Sequence, residues 1–587
     1  MSLVPAAVGP SQVSERGRPW AGSRAQWLIL CCYLLGALAL TWRLWADPAS
    51  RVQAGDPEDV DLFVWFMRYA ATAVAHGHLP ALVTTAMNTP QGINVMWNTS
   101  FLLPGVVLSP VTLQFGPQVS LTIALTLGFA GSAASLFWVL RRWGAGLWPA
   151  ALGGALYGFS PALVNSAVGH YNIQFVVLPP LIIDATLRIV TGRGHPVRNG
   201  AWLGLLVAAQ VFIGEELLAL TAVAGAVLVA VLAASRPRSV LRRARGTLLG
   251  LATGGAVALA VSGYALWVQF YGPLSEHGSP WVTANFRSRA ADLVTPAGTM
   301  LFHRGASTVT AAGGLPEYLA YLGWPLLVVL VAAAIRYWRD LRVRVTAVTW
   351  AVLELFSLGG GSRFLPWHWL QGLPVLGQVL PDRFAVVAAG AAAAALAFSL
   401  HLARSGAPEG SGWARRAWPF AVAVLALLPL IPRPMPAAPA SPAPAGWRTA
   451  FARLGPGARV LVVPIPTSHT ADPMRWQADT GKPGSLIGGW FLGPDQSGQA
   501  VVENYGPATD NNVAVMVNNV ARYLNALWAG TPTYNGINDP QIDVALAYWR
   551  PAAIVALTSP HPRLEQVLVK IFGRPRFQAG QLLVWRL

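Results

Sequence analysis

The sequence predicts a polytopic α-helical membrane protein, with about eleven transmembrane helices and a C-terminal α/β domain outside the cytoplasm. Three observations carry that prediction. Of 587 residues, 54% are hydrophobic and only 11% charged, where soluble proteins carry roughly a quarter charged residues. Apolar runs of membrane-crossing length recur from residue 27 to 432, and short arginine clusters separate them. Beyond 446 the pattern changes to short β-branched runs that alternate with helical stretches.

The first run, 27–45, follows Arg16, Arg18 and Arg24. At about 19 residues it exceeds a signal-peptide h-region, and no clear small-residue cleavage site follows, so it reads as a retained signal anchor behind a cytoplasmic tail, 1–26. Further runs lie at 117–140, 147–163, 171–190, 201–214, 217–235, 247–271, 318–335, 345–358, 382–403 and 417–432. The run 101–115, interrupted by Pro104 and Pro110, reads as re-entrant.

Cytoplasmic loops collect Lys and Arg. Arg141 and Arg142; Arg188, Arg193 and Arg198; Arg236 to Arg245; Arg336 to Arg344; and Arg404, Arg415 and Arg416 can all lie on one side. That places the N-terminus in the cytoplasm of a multi-pass inner (plasma) membrane protein. The loops 46–100 and 272–317 then face outward, as do a Pro/Ala linker, 433–446, and the α/β domain, 447–587. The net charge of +17 is therefore a topology signal; no basic patch interleaved with aromatics points to nucleic acid. Cys31 and Cys32 are adjacent inside an apolar run, so no disulfide framework or zinc site is implied.

The first outer loop is the most informative motif. Gly55-Asp56-Pro57-Glu58-Asp59-Val60-Asp61 holds four acids within six residues of an acid-poor chain. Pro57 suits a first helical turn with Asp56 as N-cap. Leu62, Trp65, Phe66, Tyr69 and Ala73 then share one helix face, which fits a helix lying in the membrane interface. A carboxylate at headgroup level can accept the proton of an attacking hydroxyl, making Asp56 the candidate catalytic base. Asp59 and Asp61 are supporting acids, or charge on a solvated loop. Glu215 and Glu216 sit in an apolar hairpin, where ionisable residues are costly, or at its solvated apex.

A departing phosphate needs cations. Arg287, Arg289, Arg363 and Arg383 are the outer-face candidates. His170, Asn172 and Gln174 can line a polar cavity, or be ordinary loop residues. The stretch from Asn88 to Ser100, with Asn94 and Trp97, has the amide and aromatic density of a sugar-binding loop, and equally that of a compact loop of turn formers.

This arrangement resembles the GT-C superfamily of polyprenyl-phosphate-sugar-dependent glycosyltransferases, in particular actinobacterial membrane proteins with a Gly-Asp loop, an Asn-Pro-Gln-Gly-Asn-like segment and a Leu-Pro-x-Arg-Phe-like segment. Here those are Gly55-Asp56, Asn88 to Asn94 and Leu380 to Phe384. The resemblance implies inverting transfer of a hexose or pentose from a polyprenyl-phosphate donor to a cell-envelope glycan, lipid or protein acceptor, with Asp56 as base. It fixes no cofactor and leaves a divalent cation open, because Asp59-Val60-Asp61 falls within the expected helix. Two rival readings are a transporter or flippase of lipid-linked envelope precursors, which calls for paired inverted repeats that the sequence lacks, and a non-catalytic envelope assembly protein.

Overall fold

The computed structural model describes residues 23–98, 100–303, 312–373, 375–406, 413–455, 457–481, 484–531, 537–559 and 561–587. Most of the expected N-terminal tail, 1–22, lies outside these. The chain divides into two compact units: 1–46, 123–262 and 282–436 form one, and 47–122, 263–281 and 437–587 the other.

Among the described residues six helices are long and apolar enough to cross a membrane: Arg24–Trp45, Pro117–Arg142, Leu147–Ser166, Glu215–Ser235, Ala244–Tyr271 and Pro381–Ser405. These make it a membrane protein. Other expected runs fold as shorter helices, largely because prolines restart them. The run 171–190 becomes Tyr171–Gln174 and Pro179–Val190, with Pro179 and Pro180 opening the second piece. The run 318–335 is helical only from Trp324 to Arg336, and Trp413–Leu427 carries Pro419 inside it.

In the first unit the centre is the alanine-rich helix Phe384–Ser405, whose residues from Phe384 to Ala389 and from Ala392 to Leu400 are buried. Small residues allow its neighbours close: a methyl on Gly153 of Leu147–Gly158 would sit 3.0 Å from the Ala393 carbonyl oxygen. This is how helices pack where lipid supplies no hydrophobic drive.

The second unit contains a five-stranded sheet in the order Phe577–Ala579, Leu582–Arg586, Ala553–Leu557, Arg459–Val463, Ser485–Leu486. Arg459–Val463 runs parallel to both of its neighbours, and Leu582–Arg586 closes antiparallel. Val460 to Val463 are all buried, the pattern of a strand covered on both faces. Trp447, Phe451, Trp476, Leu486, Val555 and Val584 fill one core beside it. The terminal region does not form a unit by itself, since it groups with the first acidic loop and with 263–281. Within the expected linker, Ala437–Pro439 pairs antiparallel with Arg51–Gln53. The run 101–115 is two short helices, Leu102–Val107 and Ser109–Phe115.

Candidate functional site

In the second unit, the acidic motif opens the helix Pro57–Ala75 as the capping residues require. Gly55 takes φ 132°, a conformation that side chains disfavour. Asp56 is the N-cap and its carboxylate accepts from the Asp59 amide at 3.4 Å, with Pro57 in the first turn. Asp56 is half-buried, so one carboxylate of the motif is both oriented by its own helix and open to solvent.

Asp59 and Asp61 are committed to protein contacts. Trp490 donates its indole N–H to Asp59 Oδ1 at 2.6 Å. Asp61 is 5% exposed, and Arg475 Nε donates to its Oδ1 at 2.5 Å. A second arm of Arg475 reaches Gln118 Oε1 at 3.1 Å. Burial is the largest influence on Asp61 and pushes its carboxyl up to about 7, against the pull of Arg475. Trp65 donates to Gln477 at 2.6 Å and Arg68 to the Ala478 carbonyl at 2.7 Å. The helix that carries Asp56 is thus stapled along its length to the helix Asp472–Asp479.

These contacts correct one expectation. Leu62, Trp65, Phe66, Tyr69 and Ala73 are each at most 9% exposed, so the apolar face expected to meet the lipid interface is covered by protein. The amide-rich segment is likewise internal. Asn94 is 1% exposed; its amide donates to the Val268 carbonyl at 2.9 Å and the Pro273 carbonyl at 3.1 Å, and accepts from the Met96 amide. Trp97 donates to the Gln269 carbonyl at 2.6 Å. Both residues therefore hold the loop to the segment around 268–273, and Asn94 has no surface to offer a sugar.

In the first unit a charged node forms around Arg383, in the turn Pro381–Arg383 that opens the alanine-rich helix. Arg383 pairs with both Glu216 and Glu317. His170 Nδ1 lies 3.3 Å from Glu317, and the Leu380 amide donates to Glu216 at 3.3 Å. Asp382, 1% exposed, adds a third carboxyl whose oxygens have no hydrogen-bond partner among the described residues. Arg383 thus holds together segments far apart in sequence. Glu215 begins the helix Glu215–Ser235 beside Glu216. Asn172 and Gln174 are buried, Asn172 beside Gly214 and Gln174 against Gly128.

Arg287, Arg289 and Arg363 are exposed. The Arg287 side chain lies along Gly359 and Gly361; a methyl on Gly361 would fall 2.6 Å from its guanidinium nitrogen. The guanidinium of Arg363 lies 5.3 Å from the Phe364 ring centre. Among the described residues no group of three or more His, Cys, Asp or Glu side chains is arranged to hold a metal ion. Sequence reasoning missed Arg475, Gln118, Gln477, Trp490 and Glu317, whose roles arise from contacts distant in sequence.

No protein-family model matches the chain, and no curated protein matches it in sequence. Among solved structures it is similar to the arabinofuranosyltransferase AftD from Mycobacteria, with a TM-score of 0.54 and 17% identity, over 96% of this chain and 40% of that one. The chain thus spans about two fifths of the length of AftD. The oligosaccharyltransferase AglB from Archaeoglobus fulgidus, in complex with an inhibitory peptide and a dolichol-phosphate, gives a TM-score of 0.47 and 12% identity, over 92% of this chain and 70% of that one. ArnT from Cupriavidus metallidurans, bound to undecaprenyl phosphate, gives 0.39 and 13%, over 96% and 98%. The likeness to AftD is one of fold, at a TM-score above 0.5.

Proposed function

We propose that the protein is a membrane glycosyltransferase that moves one sugar from a polyprenyl-phosphate donor to a cell-envelope acceptor outside the cytoplasm. The observation that carries this reading is Asp56, the half-exposed N-cap of a helix whose Asp59 and Asp61 are tied to protein, in a chain that shares its fold with AftD. The acceptor hydroxyl gives its proton to the Asp56 carboxylate as its oxygen attacks the anomeric carbon. The bond from that carbon to the phosphate oxygen breaks, and the lipid phosphate leaves with the electron pair, so the anomeric configuration inverts. Helix capping fixes the carboxylate before substrate arrives, so little ordering remains for the reaction itself.

The departing phosphate gains negative charge, which guanidinium groups stabilise. Arg287, Arg289 and Arg363 are the exposed candidates. Arg383, already paired with two carboxylates, has a positioning role. In this reading the arginine clusters face the cytoplasm and residues 447–587 the opposite side.

The test is reconstitution of the purified protein in liposomes with a panel of labelled polyprenyl-phosphate sugars and envelope acceptors. Wild type is expected to consume one donor and form an inverted glycoside, and Asp56→Asn to lose that turnover. Equal turnover by Asp56→Asn would remove Asp56 as base. Labelled lipid crossing the bilayer with no new glycoside would replace the transferase reading with a transporter.

A further inference from the structure

The arginine clusters that served only to orient the chain build a cavity in the first unit. It has a volume of about 310 Å³, and Arg142, Trp143, Asp184, Arg188, Arg193 and Arg198 contribute to its walls. It lies where the helix Pro117–Arg142 ends, where Pro179–Val190 ends and where Pro196–Val211 begins. Asp184, 5% exposed, organises one wall: it accepts from Trp143 Nε1 at 2.9 Å and pairs with Arg142 at 3.2 Å and Arg188 at 3.0 Å. Four arginines face one carboxylate, an excess of three positive charges. Arg243 lies nearby, its side chain against Gly192. Burial and the neighbouring Arg188 and Arg243 lower the Arg193 pKa, while Asp184 raises it. The cavity thus concentrates positive charge, the condition an anion relieves.

Its height is set by tryptophans. Trp138, Trp148 and Trp202 are 40%, 54% and 51% exposed; Trp138 and Trp202 lie within about two turns of these helix ends, and Trp148 is in the first turn of the next helix, Leu147–Gly158. Exposed Trp marks the boundary between headgroups and hydrocarbon, and basic pockets between helix ends at that level suit lipid phosphates. The volume is at the lower limit for ligand sites, enough for a phosphate with its glycerol and too small for a lipid-linked sugar together with its acceptor.

We propose that this arginine cavity binds the phosphodiester headgroup of an anionic phospholipid, with Arg193 and Arg198 as the specificity-determining cations and Asp184 holding Arg142 and Arg188 in place. The site is separate from sugar transfer and stands whether or not Asp56 is a base.

Native mass spectrometry of the full-length protein in neutral detergent tests it, titrating phosphatidylglycerol or phosphatidylcholine of matched acyl chains. One phosphatidylglycerol is expected to bind in preference to phosphatidylcholine. Arg193→Gln/Arg198→Gln, which retains Arg142 and Arg188 as the partners of Asp184, is expected to weaken it about tenfold or more, while Arg193→Lys/Arg198→Lys retains most of the preference. Equal binding of the two lipids, or unchanged phosphatidylglycerol binding by the Gln variant with its melting temperature preserved, would overturn the proposal. So would displacement of the lipid by inorganic phosphate at equal concentration, since the site would then recognise a free anion. Should the Gln variant fail to fold, the wild-type lipid preference and the Lys variant decide: loss of preference in the Lys variant contradicts the proposal, retention supports it.

Discussion

Arg475, which is buried, and Arg383, which is largely buried, are both guanidinium groups clamped by acids, but they are clamped differently. Arg475 meets one carboxylate, Asp61, and the neutral amide of Gln118. Arg383 meets two carboxylates, Glu216 and Glu317, and neighbours a third, Asp382. The first is a near-neutral staple closing the unit that contains Asp56. The second is an acid-rich knot drawn together by Arg383. In both nodes the acids are held by a guanidinium group, whereas the Asp56 carboxylate caps its own helix.

The sharpest way to break the comparison is to remove each arginine. Losing one partner of a buried pair costs about 3–5 kcal/mol because the remaining charge is uncompensated. Arg383→Ala strands two carboxylates and belongs at the upper end; Arg475→Ala strands one and belongs near the lower end. Thermal unfolding in detergent checks the order, and equal losses would show that the number of stranded acids does not matter. Replacing the Arg475 pair jointly, as Arg475→Leu/Asp61→Leu, should recover much of the loss.

Glu276 offers a contrast with both nodes, being a buried acid without a cation. It is 1% exposed, and neither oxygen has a hydrogen-bond partner among the described residues. Burial pushes its carboxyl up to about 8. The folded protein thus keeps a proton that the unfolded chain releases near the ordinary glutamate value. Its contribution to stability is full below that value and is lost as pH rises through about 8. Stability should fall over that window in wild type by on the order of a few kcal/mol, read as a falling melting temperature, and stay flatter in Glu276→Gln. Parallel pH profiles would contradict this account of Glu276.

Smaller effects follow at the edges. Trp490→Phe removes the donor to Asp59 and should cost about 1–2 kcal/mol. Arg363→Ala touches an exposed side chain and should change stability by less than about 0.5 kcal/mol, while raising KM for the lipid-linked donor at little change in melting temperature. Unchanged KM would take Arg363 out of the phosphate-binding set.

Membrane character was legible because composition alone reports it, and the helix opening at Pro57 because its capping chemistry is local. The number of long helices was not, because a proline pair such as Pro179-Pro180 splits an apolar run without lowering its hydropathy. The amide-rich loop was ambiguous in principle: Asn94 could face a sugar or bond carbonyls, and only the fold around 268–273 decides for the second. Asp61 looked like a partner of Asp56 in sequence, but its actual partner lies 414 residues away, beyond any spacing rule. Within one short motif, capping distinguished Asp56, whereas the burial of Asp61 depended on tertiary contacts.

In the proposed function the motif divides its labour, Asp56 for chemistry and Asp61 for architecture. The direct measurement is sugar transfer in liposomes by Asp56→Asn, alongside the melting temperatures of that variant and of Asp61→Asn. Asn caps a helix about as well as Asp, so Asp56→Asn should melt with wild type while transfer falls by about 10²–10⁴-fold; Asp61→Asn should lose stability instead. An Asp56→Asn protein that transfers sugar at the wild-type rate would contradict the account.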